Sequence, residues 1–240
     1  MAHAPEQNAL RVLTGRDAPF SYSCAGCNRC CHDKRIQVGP YEIARLAAAS
    51  SLTTTAFIER YTDDGCYLRF EDGACTFLTP KGCSVHAARP LVCRLYPLGR
   101  VALPDGGEQV VELRAHPETE GTYGTTGTVA EYFEQQGVAP YVQAARLYYE
   151  LLERVVELLD QSPVDGNADA DDAATAQDDS EEPPSLTDID AVVTTHCKKT
   201  DQPVPSELWE KMLLHIAVVD AWLTRNRLPT DRVVVEEPKL

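Results

Sequence analysis

The side chains most able to do chemistry here are thiols. The chain has 240 residues and nine cysteines, eight of them in the first hundred residues. Four stand within eight residues, in the run Cys24-Ala-Gly-Cys27-Asn-Arg-Cys30-Cys31, and Cys66, Cys75, Cys83, Cys93 and Cys197 follow. Three uses of such thiols compete. Disulfides fit poorly, because the count is odd, the first residues carry no basic and apolar export pattern, and the chain is long enough to fold without staples. Packing as small apolar groups suits Cys197 and Cys66, but not four cysteines on a Gly-, Asn- and Arg-bearing loop. Metal or cluster ligation fits best: C-x2-C turns let two thiolates converge, and backbone amides in such turns can donate to sulfur. Cys24, Cys27 and Cys30 can share one centre by the logic of C-x2-C-x2-C runs. Adjacent residues tend to point apart, so Cys30 and Cys31 need not ligate the same ion. Tetrahedral zinc and a four-iron cluster each need four protein ligands, which brings in Cys75, Cys83 or Cys93. Seven or eight thiols could equally make two centres.

The run CAGCNRCC, followed by GACTFLTPKGCSVHAARPLVCRLYP, resembles the YkgJ-like cysteine-cluster family, also known as CxxCxxCC zinc- or iron-chelating domain proteins. The resemblance covers roughly residues 20–120 and rests on Cys24, Cys27, Cys30, Cys31, Cys75, Cys83 and the block Arg89-Pro90-x-x-Cys93-Arg94-x-Tyr96-Pro97. It implies a zinc or iron–sulfur centre. It also implies kinship with flagellin lysine N-methylases, whereas most members have no assigned reaction. Members often carry Cys-Pro-Gly where this chain reads His116-Pro117-Glu118, so His116 is a candidate replacement ligand, since imidazole can stand in for thiolate. His86, where the family often has Tyr, and His32 beside Cys31 are further candidates, weighed against ordinary packed or surface histidines. Arg29, Arg35, Arg89 and Arg94 are candidates to offset thiolate charge and donate to sulfur.

These ligands need elements to hold them. Gly39-Pro40 opens a helix through Ser50, and a second helix is expected over Thr54–Tyr61 behind Thr53 or Thr54. Tyr67–Phe70 and Cys75–Leu78 read as short strands around Asp72-Gly73, with another turn at Lys81-Gly82. Leu98–Leu103 and Gln109–Ala115 read as a hairpin. Thr128-x-x-Glu131 fits a capping box. Pro140–Gln161 has helical periodicity, with Val142, Ala145, Tyr149, Leu152, Val156 and Leu159 along one face. Helices are expected near 187–197 and 206–225, the second with Leu208, Met212, Ile216, Val219 and Leu223 in line, and the end, RVVVEEPKL, reads as a short strand or a frayed tail. The predicted organisation is an N-terminal extension (1–20) with little pattern, a cysteine-cluster metal-binding domain (21–125), a helical segment (126–161), an acidic disordered linker (162–186) and a C-terminal helical segment (187–240). The fold class is α+β: a small cysteine-rich loop-and-hairpin metal domain packed against a largely helical remainder.

Charge divides the chain. Residues 1–120 hold 13 basic and 14 acidic residues, and 121–240 hold 9 and 23, for a net charge of −15. That balance argues against general nucleic-acid binding. Six lysines against 16 arginines among many carboxylates suit solubility in concentrated salt, as in a halophile, although one acidic linker biases the count. No 18-residue apolar run suggests a membrane span, and a cytoplasmic location is the expectation. GPYEIA and PDGGEQ match no phosphate-loop template, and C-x2-C-x2-C differs from the C-x3-C-x2-C of radical enzymes that use S-adenosylmethionine. The chain reads as a metal-binding protein with an iron–sulfur cluster or zinc on Cys24, Cys27, Cys30, Cys31, Cys75, Cys83, Cys93 and His116, in a redox or protein-modification role with an unidentified protein partner or substrate. Two alternatives stay open: a protein lysine N-methylase-like enzyme, and a zinc-stabilised interaction module.

Overall fold

The computed structural model describes residues 9–103, 107–160 and 182–226. The fold is mixed α+β, with 11 short strands and seven α-helices among the described residues. It divides into two compact units, residues 1–145 and 146–240.

The first unit has two frameworks. In one, β1 (Ala9–Leu13), β9 (Leu98–Ala102) and β10 (Glu108–Leu113) form an antiparallel sheet in the order β1-β10-β9. Residues 9–13, which carry little pattern as a sequence, thus form an edge strand, with Val12 opposite Val111. The expected hairpin is the pair β9–β10; its turn residues 104–106 fall outside the described residues. Strand β2 (Pro19–Ser23) pairs with β11 (Thr122–Thr128), which runs into helix α4 (Val129–Gln135). The Thr128 hydroxyl accepts the Glu131 amide at 3.2 Å, while the Glu131 carboxylate accepts the Thr128 amide at 2.9 Å. This is the reciprocal cap that the S/T-x-x-E spacing predicts. Phe20, Leu98, Val110, Val129 and Phe133 form the core between these elements.

The second framework carries the cysteines. Helix α1 (Pro40–Ala49) starts with Pro in its first turn, and α2 (Thr54–Tyr61) is capped by Thr53, whose hydroxyl accepts the Ala56 amide at 3.2 Å. Ile43, Leu46, Phe57 and Phe77 are buried together, and the Phe57 and Phe77 rings stack at 5.9 Å. On this base sit three hairpins of two-residue strands: β3 (Thr62–Asp63) with β4 (Tyr67–Leu68), β5 (Phe70–Glu71) with β6 (Ala74–Cys75), and β7 (Leu78–Thr79) with β8 (Gly82–Cys83). Two longer strands around Asp72-Gly73 were expected. The chain divides into three hairpins because each positive-φ pair or glycine reverses it after two residues, as at Asp72 (φ 49°) and Gly73 (φ 78°). The short helix α3 (Leu91–Leu95) follows.

Helix α5 (Ala139–Asp160) begins in the first unit and ends in the second. Its buried face is not the predicted one. Tyr141, Ala144, Tyr148 and Leu151 are buried, whereas Tyr149, Leu152 and Val156 are 61%, 45% and 54% exposed. Both stripes have helical spacing, and the long-range partners of the tyrosines decide between them. The second unit pairs α6 (Ile189–Thr200) with α7 (Leu208–Arg225), close to the expected spans. Met212, Val219 and Leu223 are buried as predicted, together with His215. The expected C-terminal strand and most of the linker lie outside the described residues.

Candidate metal centre

The CxxCxxCC run lies across the two cysteine hairpins and is held at two points. Past its end, the Asp33 amide donates to the Gly73 carbonyl at 2.8 Å, and an antiparallel bridge pairs His32 with Ala74. In that register Cys31 stands opposite Cys75. Before its last two cysteines, the Asn28 carboxamide rests against Gly82, where its oxygen would lie 3.7 Å from an added Cβ. Cys30 and Cys31 occupy the 3-10 turn Arg29–Cys31 between these two anchor points. That turn brings their sulfurs to 4.0 Å, closer than the tendency of adjacent side chains to diverge suggests.

The two hairpins are tandem copies. Phe70-Glu71-Asp72-Gly73-Ala74-Cys75-Thr76-Phe77 aligns with Leu78-Thr79-Pro80-Lys81-Gly82-Cys83-Ser84-Val85. Cys75 pairs with Phe70, and Cys83 with Leu78. The Thr76 amide donates to the Arg69 carbonyl and the Ser84 amide to the Phe77 carbonyl, the same bond one repeat later. The amides of Phe77 and Val85, two residues beyond each cysteine, favour its thiolate. Gly26 repeats this pattern toward Cys24 at 3.4 Å, and Arg29 toward Cys27. Amides aimed at sulfur stabilise thiolate, the form that binds metal. This eight-residue repeat was legible in the sequence as apolar–x–x–x–small–Cys–hydroxyl–apolar, a signal that counting cysteines alone misses.

Cys93 comes from α3, and long-range polar contacts set that helix in place. The Glu42 carboxylate on α1 accepts the Gly39 amide at 2.7 Å and the Leu91 amide at 2.6 Å, capping both helices. Burial pushes its pKa up despite these donors. Arg94 is buried. Its guanidinium donates to the carbonyls of Arg89 (2.9 Å), Gln136 (2.8 Å) and Ala87 (2.5 Å) and to the Tyr141 hydroxyl (2.8 Å). It therefore ties the 3-10 turn His86–Ala88, α3, α4 and α5 together, rather than donating to sulfur as expected. Arg89 donates to the His86 carbonyl and to Gln136, and its charge favours thiolate at Cys83. Arg35 lies 3.8 Å above the Tyr67 ring, and Arg29 pairs with Glu118 at 3.4 Å.

Electrostatics shows which thiols are neighbours. Burial, then the charges of Cys75, Cys30, Cys83 and Glu42, push Cys93 up to about 12. Burial raises Cys75 and Cys83, which also feel Cys83 and Cys30 respectively. Within the Cys30–Cys31 pair, one S–H donating to its neighbour eases the first ionisation and opposes the second, so Cys30 goes down and Cys31 up. Cys93 is exposed to water, yet burial is the main reason it resists ionisation. Among the described residues, no three His, Cys, Asp or Glu side chains stand in an arrangement that would hold one ion directly. Cys30, Cys31, Cys75, Cys83 and Cys93 are electrostatic neighbours rather than a closed coordination shell. Their chemistry fits a soft cation: each raised pKa reflects burial or thiolate crowding, both of which a bound metal offsets.

The remaining candidates have other partners. Cys27 receives the amides of Glu120 and Arg29. His116 accepts the Glu118 amide on Nδ1 at 3.1 Å, and its own backbone amide faces the Tyr96 hydroxyl. His86 faces Arg89 at 3.4 Å, and burial lowers its pKa. His32 lies in the bridge to Ala74. Cys66 lies in the first hairpin, where its carbonyl accepts the Val38 amide. Cys197 is buried in the second unit. Among the described residues no helix is long and apolar enough to cross a membrane.

Residues 23–117 match the family described as CxxCxxCC, putative zinc- or iron-chelating domain. No curated protein and no solved structure matches the chain.

Proposed function

For a chain that carries a CxxCxxCC metal-chelating domain over residues 23–117, we propose that Cys30, Cys31, Cys75, Cys83 and Cys93 hold an iron–sulfur cluster, and that the protein serves electron transfer or redox sensing. The observation that carries this reading is the exposed but protein-crowded Cys93 thiol among Cys75, Cys30 and Cys83. The CxxCxxCC loop, both tandem hairpins and α3 each contribute a thiol to this group. All-thiolate ligation suits iron–sulfur clusters. When bound, the cluster supplies one-electron redox chemistry. The chain's part is to position and protect the thiolates. Glu42 and Arg94 set the helix of Cys93, the i+2 amides stabilise thiolate on Cys75 and Cys83, and Phe77 and Val85 keep the hairpins seated on the core.

A second reading is zinc in a structural site. The tandem hairpins favour it, since paired turns with sulfur-directed amides suit a tetrahedral ion that crosslinks segments. Protein purified without oxygen decides between the two through its iron, zinc and acid-labile sulfide content and its visible spectrum. Iron with sulfide and a broad band near roughly 400 nm supports the cluster. Colourless protein with zinc supports the structural site, and a folded protein with neither metal removes both.

A further inference from the structure

Helix α5 carries more apolar surface than its own unit covers. Tyr148 and Leu151 are buried, and the Tyr148 hydroxyl donates to His215 on α7 at 3.0 Å. Beside this inward face runs a second apolar stripe, in which Tyr149, Leu152 and Val156 are exposed. Ala145, also exposed, continues the stripe toward the start of the helix. The intervals of four, three and four residues are those of the a and d positions of a heptad. An exposed apolar row flanked by Arg146, Glu150, Glu153 and Glu157 is the pattern of an interaction surface rather than of a solvated face.

Charge selects the occupant. Arg146 and Glu153, one heptad apart, stand on the same flank of the stripe. Arg146 pairs through Nε with Glu150 at 2.9 Å, both exposed, and the five donors of a guanidinium are not exhausted by one such pair. An antiparallel copy of the helix, related by a two-fold axis, sets Tyr149 of each copy against Leu152 of the other. The same register brings Arg146 of each copy beside Glu153 of the other, so the opposite charges meet twice. A parallel pairing sets Arg146 level with Arg146 and Glu153 level with Glu153, which repels. The segment 162–181 is acidic and has no basic residue, so it is mismatched to the Glu150, Glu153 and Glu157 flank. At physiological ionic strength the Debye length is about 8 Å, which confines repulsion from the net charge of −15 to short range.

We propose that the Tyr149, Leu152 and Val156 face of α5 is a docking surface for a second copy of this chain, paired antiparallel, with Arg146 of each copy bound to Glu153 of the other. The helix is already held by its own unit through Tyr148 and Leu151, so pairing orders little new chain and the row need not be long. The apolar row supplies the attraction, and the flanking charges fix orientation and register. The proposal is independent of the metal centre, whose thiols lie in the first unit.

The test is sedimentation equilibrium of the full chain, purified without oxygen, across a range of concentrations at physiological ionic strength. Wild-type protein is expected to pass from monomer to dimer mass as concentration rises. Leu152→Glu, which places a charge in the row, should stay monomeric with unchanged circular dichroism and metal content. Tyr149→Glu, at another exposed position, should do the same and keeps the test valid if the first variant misfolds. Arg146→Glu should raise the dissociation constant by roughly tenfold. Adding Glu153→Arg should restore it, because the charges are then exchanged across the two-fold axis. Wild-type protein that is monomeric at every concentration overturns the proposal, and so does a dimer that both glutamate variants leave intact. A double variant no tighter than Arg146→Glu alone overturns the antiparallel pairing. Dilute, dissociated protein that Leu152→Glu makes easier to unfold overturns it too, because the chain's own segments would then cover the stripe.

Discussion

At the scale of single residues, two buried polar groups do more for the site than any extra ligand. Arg94 donates to three carbonyls and one hydroxyl from three segments, with the Tyr141 ring 4.3 Å from its guanidinium carbon. Lysine keeps the charge but has no planar fork to serve them. Arg94→Lys should therefore cost on the order of 3 kcal/mol, read by urea denaturation, and should loosen the attachment of Cys93. An unchanged midpoint would mean that the carbonyls find other donors. His215 is the second case. Its Nε2 donates to the Ser185 carbonyl at 2.9 Å, so Nδ1 accepts from the Tyr148 hydroxyl at 3.0 Å. Burial lowers its pKa, so the unfolded chain takes up this proton first as pH falls. Stability from this group is thus fully present above the ordinary histidine value of about 6.5 and is lost progressively below it. His215→Gln should flatten the pH dependence of stability below about pH 6.5, and an identical slope would place the effect elsewhere. The sequence singled out the thiols but neither of these roles. Arg94 was read as a partner of sulfur because Cys93 is its neighbour, whereas its real partners lie up to 47 residues away.

At the scale of elements, capping and turn chemistry was legible and face selection was not. The caps at Thr53 and Thr128 and the turn at Asp72-Gly73 follow from local side-chain and backbone preferences, which act within a few residues. The α5 face depends on tertiary partners, such as Tyr41 against Tyr141 at 5.4 Å and His215 against Tyr148, and periodicity cannot weigh those. Leu151→Ala should accordingly cost about 3 kcal/mol, whereas Leu152→Ala one position on should change stability by less than about 0.5 kcal/mol. Thermal or urea unfolding of the pair checks the assignment, and equal costs would contradict it. The tandem hairpins carry another prediction. Gly73 has φ 78°, and an added Cβ would meet an Asp33 carboxylate oxygen at 2.8 Å. Gly73→Ala should cost about 1–2 kcal/mol from the left-handed backbone alone. It should also push the CxxCxxCC loop off the first hairpin, which metal content would report as a reduced load.

At the scale of the whole molecule, the division of the chain follows its chemistry. The first unit contains residues 23–117, which match the CxxCxxCC family, and the second contains α6, α7 and the buried His215. Charge and cysteine placement divide the sequence near residue 120, whereas the compact units divide at Ala145/Arg146, within α5. Metal bound in the first unit should stabilise that unit in proportion to its affinity. Amide exchange after chelation should then show lost protection over residues 24–95 and retained protection in α6 and α7. Uniform loss would mean that the two units unfold together. X-ray absorption at the metal edge on anaerobically purified protein tests most directly which atoms hold the metal. The expected spectrum shows a shell of sulfur at about 2.3 Å, depleted in Cys83→Ser and Cys93→Ser. A shell of oxygen or nitrogen alone, unchanged by either substitution, would contradict it.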